Sequence, residues 1–316
     1  MFSYIGHRLL QSIPVLFLVT LAAFAIIVVV PGDPAQHMLG YNATPDSLRI
    51  LREQLGLDRP VTQQFWDFFR GVAVGDLGES ILKKEAVRSV IGDRAVASLL
   101  LLAYSIAIAL LVSIPIAIVS AVKRNRWPDH VLRLVSMVTF AMPSFWLGLL
   151  FSLWFGLYLG WFPVGGYAEN NMFSVLRTLT LPATTVGLYL APLLARTLRS
   201  SLIEELSKDY ADAARARGFT ESRVIGRHVL RNSLISTVTV LSLNVGYLLS
   251  GTVIVENVFA IPGLGTLIVD AVMQRDYPLI QGLTLFFGIA VIATNLLADL
   301  TYAALDPRIR LGKKQK

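Results

Sequence analysis

DYADAARARGFTESRVIGRHVLRN, residues Asp209–Asn232, is a polar, basic island with an apolar stretch of membrane-crossing length on either side. Within it Ala211, Ala214 and Gly218 fall at i, i+3 and i+7, so a helix here carries one ridge of very small side chains. Such a ridge lets another surface come close to the backbone, and Arg215, Arg217 and Arg223 beside it can hold a partner by charge. Asp209 is placed to cap the helix, Gly218 to end it in the left-handed conformation, and Thr220 to cap the helix that follows. The expectation is a short rigid helix that a membrane protein presents to a soluble partner.

The 316 residues are 54% hydrophobic and 16% charged. An ordinary soluble domain carries about 25% charged residues, so the balance selects an integral membrane protein. The net charge of +7 then reads as basic residues held on one side of a bilayer rather than as a nucleic-acid footprint. With no cysteine, disulfide, thiolate and zinc–cysteine chemistry are excluded.

Six apolar stretches are expected to span: Leu9–Val30, Ala95–Val122, Val131–Leu159 with a kink at Pro143, Thr178–Leu198, Leu234–Val255 and Leu283–Ala304. The first is too long for a signal-peptide core and no small-residue cleavage site follows, so it reads as an uncleaved span. Pro14 is placed in its first turns. Residues 31–93 are mixed in charge and read as an extramembrane helical subdomain. Thr44-Pro45 is an N-cap followed by proline, a second helix starts near Pro60, and Val61, Phe65, Phe68, Phe69 and Val72 make one apolar stripe. That stripe serves a protein partner, packs on the other helices or lies at the membrane interface. Trp154, Tyr158, Trp161 and Tyr167 suggest an interfacial aromatic belt. Lysines and arginines crowd the loops after spans two and four and the tail from Arg308, which puts both termini and the 199–232 loop in the cytoplasm and residues 31–93 outside. The organisation is thus residues 1–30, the 31–93 subdomain, a 94–305 core and a basic 306–316 tail.

No phosphate-binding loop, H-E-x-x-H or G-x-S-x-G pattern occurs, and His7, His37, His130 and His228 are scattered, so neither catalysis nor a metal site or cofactor is expected. A secondary transporter or channel would need coupling or selectivity groups inside the spans, where charge is scarce.

The island resembles the cytoplasmic loop of bacterial ABC importer permeases, whose E-A-A-x-x-x-G pattern is matched by Asp212-Ala213-Ala214-Arg215-Ala216-Arg217-Gly218. Aspartate replaces glutamate, and His228-Val229-Leu230-Arg231 stands where the general pattern has I-x-L-P. Ala214-Arg215-Ala216-Arg217-Gly218 with the later run from Arg227 to Asn232 resembles the subgroup importing dipeptides, oligopeptides and nickel. The likeness extends through Pro31–Pro34, Leu55–Asp58, Gly75–Gly78, Pro143–Trp146, Glu256–Phe259, Pro262–Gly265, Arg275–Pro278 and Leu305–Arg308, and the insertion after span one resembles the B-type of that subgroup's two permeases.

This resemblance implies an all-α integral membrane protein with the type I ABC importer permease fold, which pairs with a second, homologous permease. Two ATPase subunits dock below and an external solute-binding protein delivers cargo: a peptide or, alternatively, nickel or a glutathione-like solute. It assigns coupling to the ATPase to Asp209, Tyr210, Ala211, Asp212, Ala213, Ala214, Arg215, Ala216, Arg217 and Gly218. Candidates for the pathway or gate are Ser144, Asn244, Glu256, Asn257, Pro262 and Gly263, with Ser250, Gly251 and Thr252 beside them. Helix packing is the competing reading for each. The apolar Pro262–Gly265 turn is expected to dip back against the spans, as gate or as packing. Asn295 and Asp299 share a face of span six, as an ion site or as a partner for a loop arginine.

Overall fold

A computed structural model describes residues 2–29, 34–39 and 44–305. Among the described residues the regular structure is helical, apart from one antiparallel bridge between Glu79 and Ala86. Two compact units form, one from Met1–Ala97 with Gly263–Ile292, the other from Ser98–Pro262 with Ala293–Lys316.

In the first unit α1 (Phe2–Val29) starts well before Leu9, so Pro14 lies inside the helix rather than in its first turns. The proline removes one helical bond there, a loss that membrane helices tolerate. A short α2 (Pro34–Leu39) precedes α3 (Pro45–Leu55). Thr44 Oγ1 accepts from the Ser47 N–H at 3.2 Å while Ser47 Oγ accepts from the Thr44 N–H at 2.9 Å, and Gly56 at φ +67° ends the helix. The apolar stripe of α4 (Val61–Val74) packs on α1: Phe65 and Phe69 meet Phe17 at 5.8 and 5.7 Å, and Phe65 meets Phe24 at 5.5 Å. Each such edge-on pair adds about 0.5–1.5 kcal/mol beyond area burial.

The Pro262–Gly265 turn opens α12 (Leu264–Met273), a helix where a loop is expected from sequence. Leu264 and Leu267 are buried with Val87, Ile91, Leu279 and Leu283, so the apolar turn feeds a core. Asp276, itself buried, explains the Arg275–Pro278 motif. Its Oδ1 accepts from the Leu279 N–H at 3.2 Å, capping α13 (Tyr277–Leu305), and its Oδ2 accepts from Ser80 Oγ at 2.5 Å.

In the second unit α8 (Met172–Leu206) is the central rod, packed by α6 (Trp127–Ala141), α7 (Ser144–Phe151) and α11 (Leu230–Val258). A Cβ on Gly187 would sit 2.9 Å from the Ser105 carbonyl oxygen, so only glycine lets α8 lie this close to α5 (Val87–Val122).

The expected kink at Pro143 is a full turn: Trp127–Ala141 and Ser144–Tyr158 meet at 101°. Met142 is extended at φ −77°, ψ 132°, because proline disfavours helical geometry in the residue before it. A second bend, of 66°, separates Glu221–Gly246 from Gly251–Val258. By length and composition four described helices can cross a membrane, or six if each bent pair is one span.

One ion pair ties the base of this unit. Asp129, with no exposed surface, accepts from Arg199 Nε at 2.9 Å and Nη2 at 2.7 Å, from the Asn125 N–H at 3.0 Å, and from Ser120 Oγ. It thereby joins α5, α6 and α8. Arg133 Nε also lies 3.4 Å from Asp129 Oδ1, so the carboxylate keeps a partner when Arg199 is removed, whereas the half-buried Arg199 loses its own when Asp129 is; Asp129→Ala is expected to cost about 3 kcal/mol and Arg199→Ala less. The paired Asp129→Asn/Arg199→Met variant should melt closer to wild type than either alanine variant. Thermal unfolding of the detergent-solubilised protein checks both.

Candidate functional site

The island folds as α9 (Asp209–Ala216) between α8 and a short α10 (Glu221–Arg223), which continues through a π-helical segment, Val224–Val229, into α11. Asp209 is the first helical residue rather than the cap; Lys208 holds the cap position and makes no side-chain capping bond. Asp209 and Asp212 in the first turn favour the helix dipole. Gly218 takes the left-handed conformation at φ +80° as expected, and the Phe219 N–H donates to the Ala214 carbonyl at 3.3 Å. Thr220 stands at the next N-cap, but its hydroxyl lies 3.3 Å from Ser222 Oγ instead of capping.

The small-residue ridge is turned the other way from the sequence expectation. Ala211 is fully buried and Ala214 nearly so, seated among Ala117, Ala121, Leu198, Leu202, Val224 and Val229. The ridge lets α9 approach the ends of its own long helices. What it leaves outward is Asp209, Asp212, Ala213, Ala216, Arg217 and Gly218.

Polar contacts complete the seating. The Tyr210 hydroxyl donates to Glu205 Oε2 at 2.5 Å, and Asn232 Nδ2 reaches the same carboxylate at 3.5 Å and the Tyr210 oxygen at 3.4 Å. Burial and the neighbouring Glu205 carboxylate both push the Tyr210 phenol above its ordinary value, which keeps it a donor. Lys208 Nζ pairs with Glu205 Oε1. Arg215, expected to hold a partner, is committed within the chain: Nε and Nη2 each meet a Glu221 oxygen at 3.0 Å, and Nη1 meets Asp212 Oδ1 at 2.7 Å. These two carboxylates raise its already high pKa, so it is a fixed cation. Arg223 lies 5.1 Å from the Phe219 ring centre. Arg217 is exposed.

The pathway candidates do not assemble into one cluster of contacts. Ser144 is the first residue of α7 and half-buried. Asn244 and Asn257 donate to the carbonyls of Val240 and Val253 at 2.7 and 2.8 Å, each four residues back on its own helix. Glu256 is fully buried and accepts from Ser98 Oγ at 2.6 Å. Pro262 is half-buried, while Gly263 belongs to the other unit, where its N–H donates to Thr266 Oγ1 at 3.2 Å. Thr252 is buried, Gly251 half-buried and Asn295 exposed. The side chains of Ser250 and Asp299 lie outside the described residues. Sequence reasoning passed over Asp129, Glu205 and Asn232. A lone acid two residues after Trp127, amid basic neighbours, was the one signal available for Asp129.

Comparison with known proteins agrees with this architecture. The family model described as "Binding-protein-dependent transport system inner membrane component" matches residues 113–311, and that for the N-terminal part of such membrane components matches residues 1–102. Glutathione transport system permease protein GsiC of Escherichia coli (strain K12) is 39% identical over 310 residues, 98% of this chain and 99% of that protein. GsiC of Pectobacterium atrosepticum is 41% identical over the same shares of both chains. Among solved structures, a chain of the inward-facing MetNI methionine ABC transporter aligns with TM-score 0.57 at 16% identity, over 69% of this chain and 96% of that one. An amino acid ABC transporter chain aligns with TM-score 0.51 at 14% identity, over 69% and 94%. At those identities the two structures speak for the fold alone. The chain belongs to the binding-protein-dependent transport system inner membrane component family, as a multi-pass inner-membrane permease subunit, not itself an enzyme, of an ABC importer in the dipeptide, oligopeptide and nickel subgroup.

Proposed function

We propose that α9 is the lever through which separate ATPase subunits drive this permease between inward-open and outward-open states. The observation that carries the reading is its seating. One face is buried in the ends of α5, α8 and α11, and Tyr210 and Arg215 bind it to the flanking segments, so a push on the outer face is delivered to three long helices. The outer face of Asp209, Asp212, Ala213, Ala216, Arg217 and Gly218 meets the ATPase. Ala211, Ala214, Tyr210 and Arg215 hold the lever to the permease.

In this reading each bent pair is one span, giving six, with both termini and the 199–232 loop cytoplasmic and residues 31–93 outside. The chain pairs with a second, homologous permease, with the path between them, and two ATPase subunits and an external solute-binding protein complete the importer. Glu256, Asn257, Pro262 and Gly263 lie toward the outer gate, and Ser144 and Asn244 toward the path. The cargo is a peptide-class solute. The motifs of the peptide-importing subgroup support this, and so does likeness to permeases named for glutathione, itself a tripeptide.

Bulk on the two faces of α9 should act differently. Ala213→Leu and Ala216→Leu, on the outer face, are expected to leave the melting temperature unchanged. They should lower cargo-stimulated ATP hydrolysis of the reconstituted complex by about tenfold or more, which is at least ~1.4 kcal/mol of coupling. Ala211→Leu and Ala214→Leu should instead lower the melting temperature, since overpacking costs about 1–3 kcal/mol. Full hydrolysis and uptake in the Ala213 and Ala216 variants would overturn the lever.

Beyond its two chain neighbours, nothing lies within 4 Å of where a Cβ on Gly218 would stand. Gly218→Leu is therefore expected to insert and fold with only the left-handed strain of about 1–2 kcal/mol. It should still uncouple hydrolysis from uptake, because its side chain projects into the docking face. Competition among radiolabelled glutathione, dipeptides and nickel for uptake into vesicles holding the complex tests the cargo; uptake of nickel alone would refute the peptide assignment.

A further inference from the structure

A groove of about 140 Å³ runs along the seam of α6 and α8 in the second unit, with Ile116 and Ser120 of α5 in its wall. Its two ends differ. Arg133, Arg196 and Arg199 line one of them. At the other Phe140 stacks on Tyr189 at 5.7 Å, and Leu132, Met137 and Leu193 make the wall between largely apolar. The bond of Arg199 to Asp129 and the stacking of Phe140 on Tyr189 fix how α6 runs along α8. From Asp129 to Phe140 α6 rises about 16 Å, close to the ~15 Å of hydrocarbon in one bilayer leaflet.

The arginine end carries more positive charge than the fold neutralises. Arg199 binds both oxygens of Asp129, and Arg133 Nε stands 3.4 Å from Oδ1 of the same carboxylate. Arg133 Nη2 also lies 2.7 Å from His130 Nδ1. Arg196 is exposed and, among the described residues, has no ion pair or hydrogen bond. Three guanidiniums thus meet one carboxylate, which leaves this end open to an anion. Its depth in the membrane is marked as well. Trp127, 76% exposed, opens α6, and Lys123, Arg124 and Arg126 just before it are exposed. A tryptophan beside a basic cluster belongs at the level of the lipid headgroups. Leu134 and Met137, 63% and 70% exposed, give the adjoining face of α6 an apolar surface.

We propose that this groove holds an anionic phospholipid, its phosphate on Arg196 and Arg133 and one acyl chain laid between α6 and α8 toward Phe140. A guanidinium fork matches the phosphate oxygens, and the apolar wall takes a chain that a water-soluble anion lacks. A zwitterionic lipid offers the same chains but balances its own phosphate, so the excess arginine charge selects the anionic headgroup. A lipid seated there clamps α6 to α8 close to the start of α9. The inference rests on the membrane class of the chain and not on the lever.

Native mass spectrometry of the full-length chain in detergent tests this, with palmitoyl-oleoyl phosphatidylglycerol as probe and phosphatidylcholine of the same chains as control. The first phosphatidylglycerol is expected to bind at least about tenfold more tightly than phosphatidylcholine. Arg196→Gln should remove about fivefold of that preference, the weight of one basic residue at an anionic surface, and Arg196→Lys should keep most of it. Because Arg196 makes no bond within the fold, neither change should move the lipid-free melting temperature. Ser136→Leu, which fills the groove, should weaken phosphatidylglycerol by as much, while glycerol phosphate, which has no acyl chains, should not compete. Equal affinity for the two lipids overturns the proposal, as does a preference untouched by Arg196→Gln. Competition by glycerol phosphate would make the groove a site for a soluble anion, and displacement of the lipid by L-alanyl-L-alanine would make it a cargo chamber; either overturns the proposal.

Discussion

The packing of Ala211 and Ala214 against Ala117, Leu198, Leu202 and Val229 is the constraint on which the lower half of the second unit depends. Methyl side chains at those two positions let a two-turn helix lie flat across the ends of three long ones. A larger residue at either would lift the helix off, and with it the Tyr210 and Arg215 contacts made at its two ends. A helix of this length has no stability of its own in water. Its order comes from that seat.

Two polar clusters stiffen the same region from different directions. Asp129 and Arg199 join α6 to α8 through paired bonds at 2.9 and 2.7 Å, and Glu205, less than two turns further along α8, gathers Lys208, Tyr210 and Asn232. Both lie on the last turns of the rod that leads into α9. A displacement of α9 therefore has rigid attachments to α6, α8 and α11 to act through, which is what the proposed lever requires. The first pair anchors the opposite end of α6 from the 101° turn at Met142-Pro143, in the helix's first turn.

Close backbone approach sets the geometry higher up. Gly187 admits the Ser105 carbonyl, and Gly148 and Gly165 leave room for Phe259, whose carbonyl accepts from the Gly166 N–H at 2.7 Å. With little hydrophobic drive between helices in lipid, such contacts carry much of the packing. They also account for the Glu256–Phe259 motif, in which Glu256 and Phe259 are buried and Asn257 is exposed.

Membrane class, the helical framework, the capped start of α3, the glycine ends of α3 and α9, and the family itself are all legible in the sequence. They depend on local chemistry: apolar runs of bilayer length, a proline after a threonine, a glycine free to take positive φ. Which way the alanine ridge faces was not legible, because periodicity identifies a face without saying what covers it. Nor was the commitment of Arg215 to Glu221, the pairing of Asp129 with Arg199 seventy positions away, or the replacement of a kink by a right-angled turn. The groove between α6 and α8 is likewise a property of neighbours brought from distant parts of the chain. These were decided by tertiary packing, which alone determines which polar groups lose water and what they find in its place.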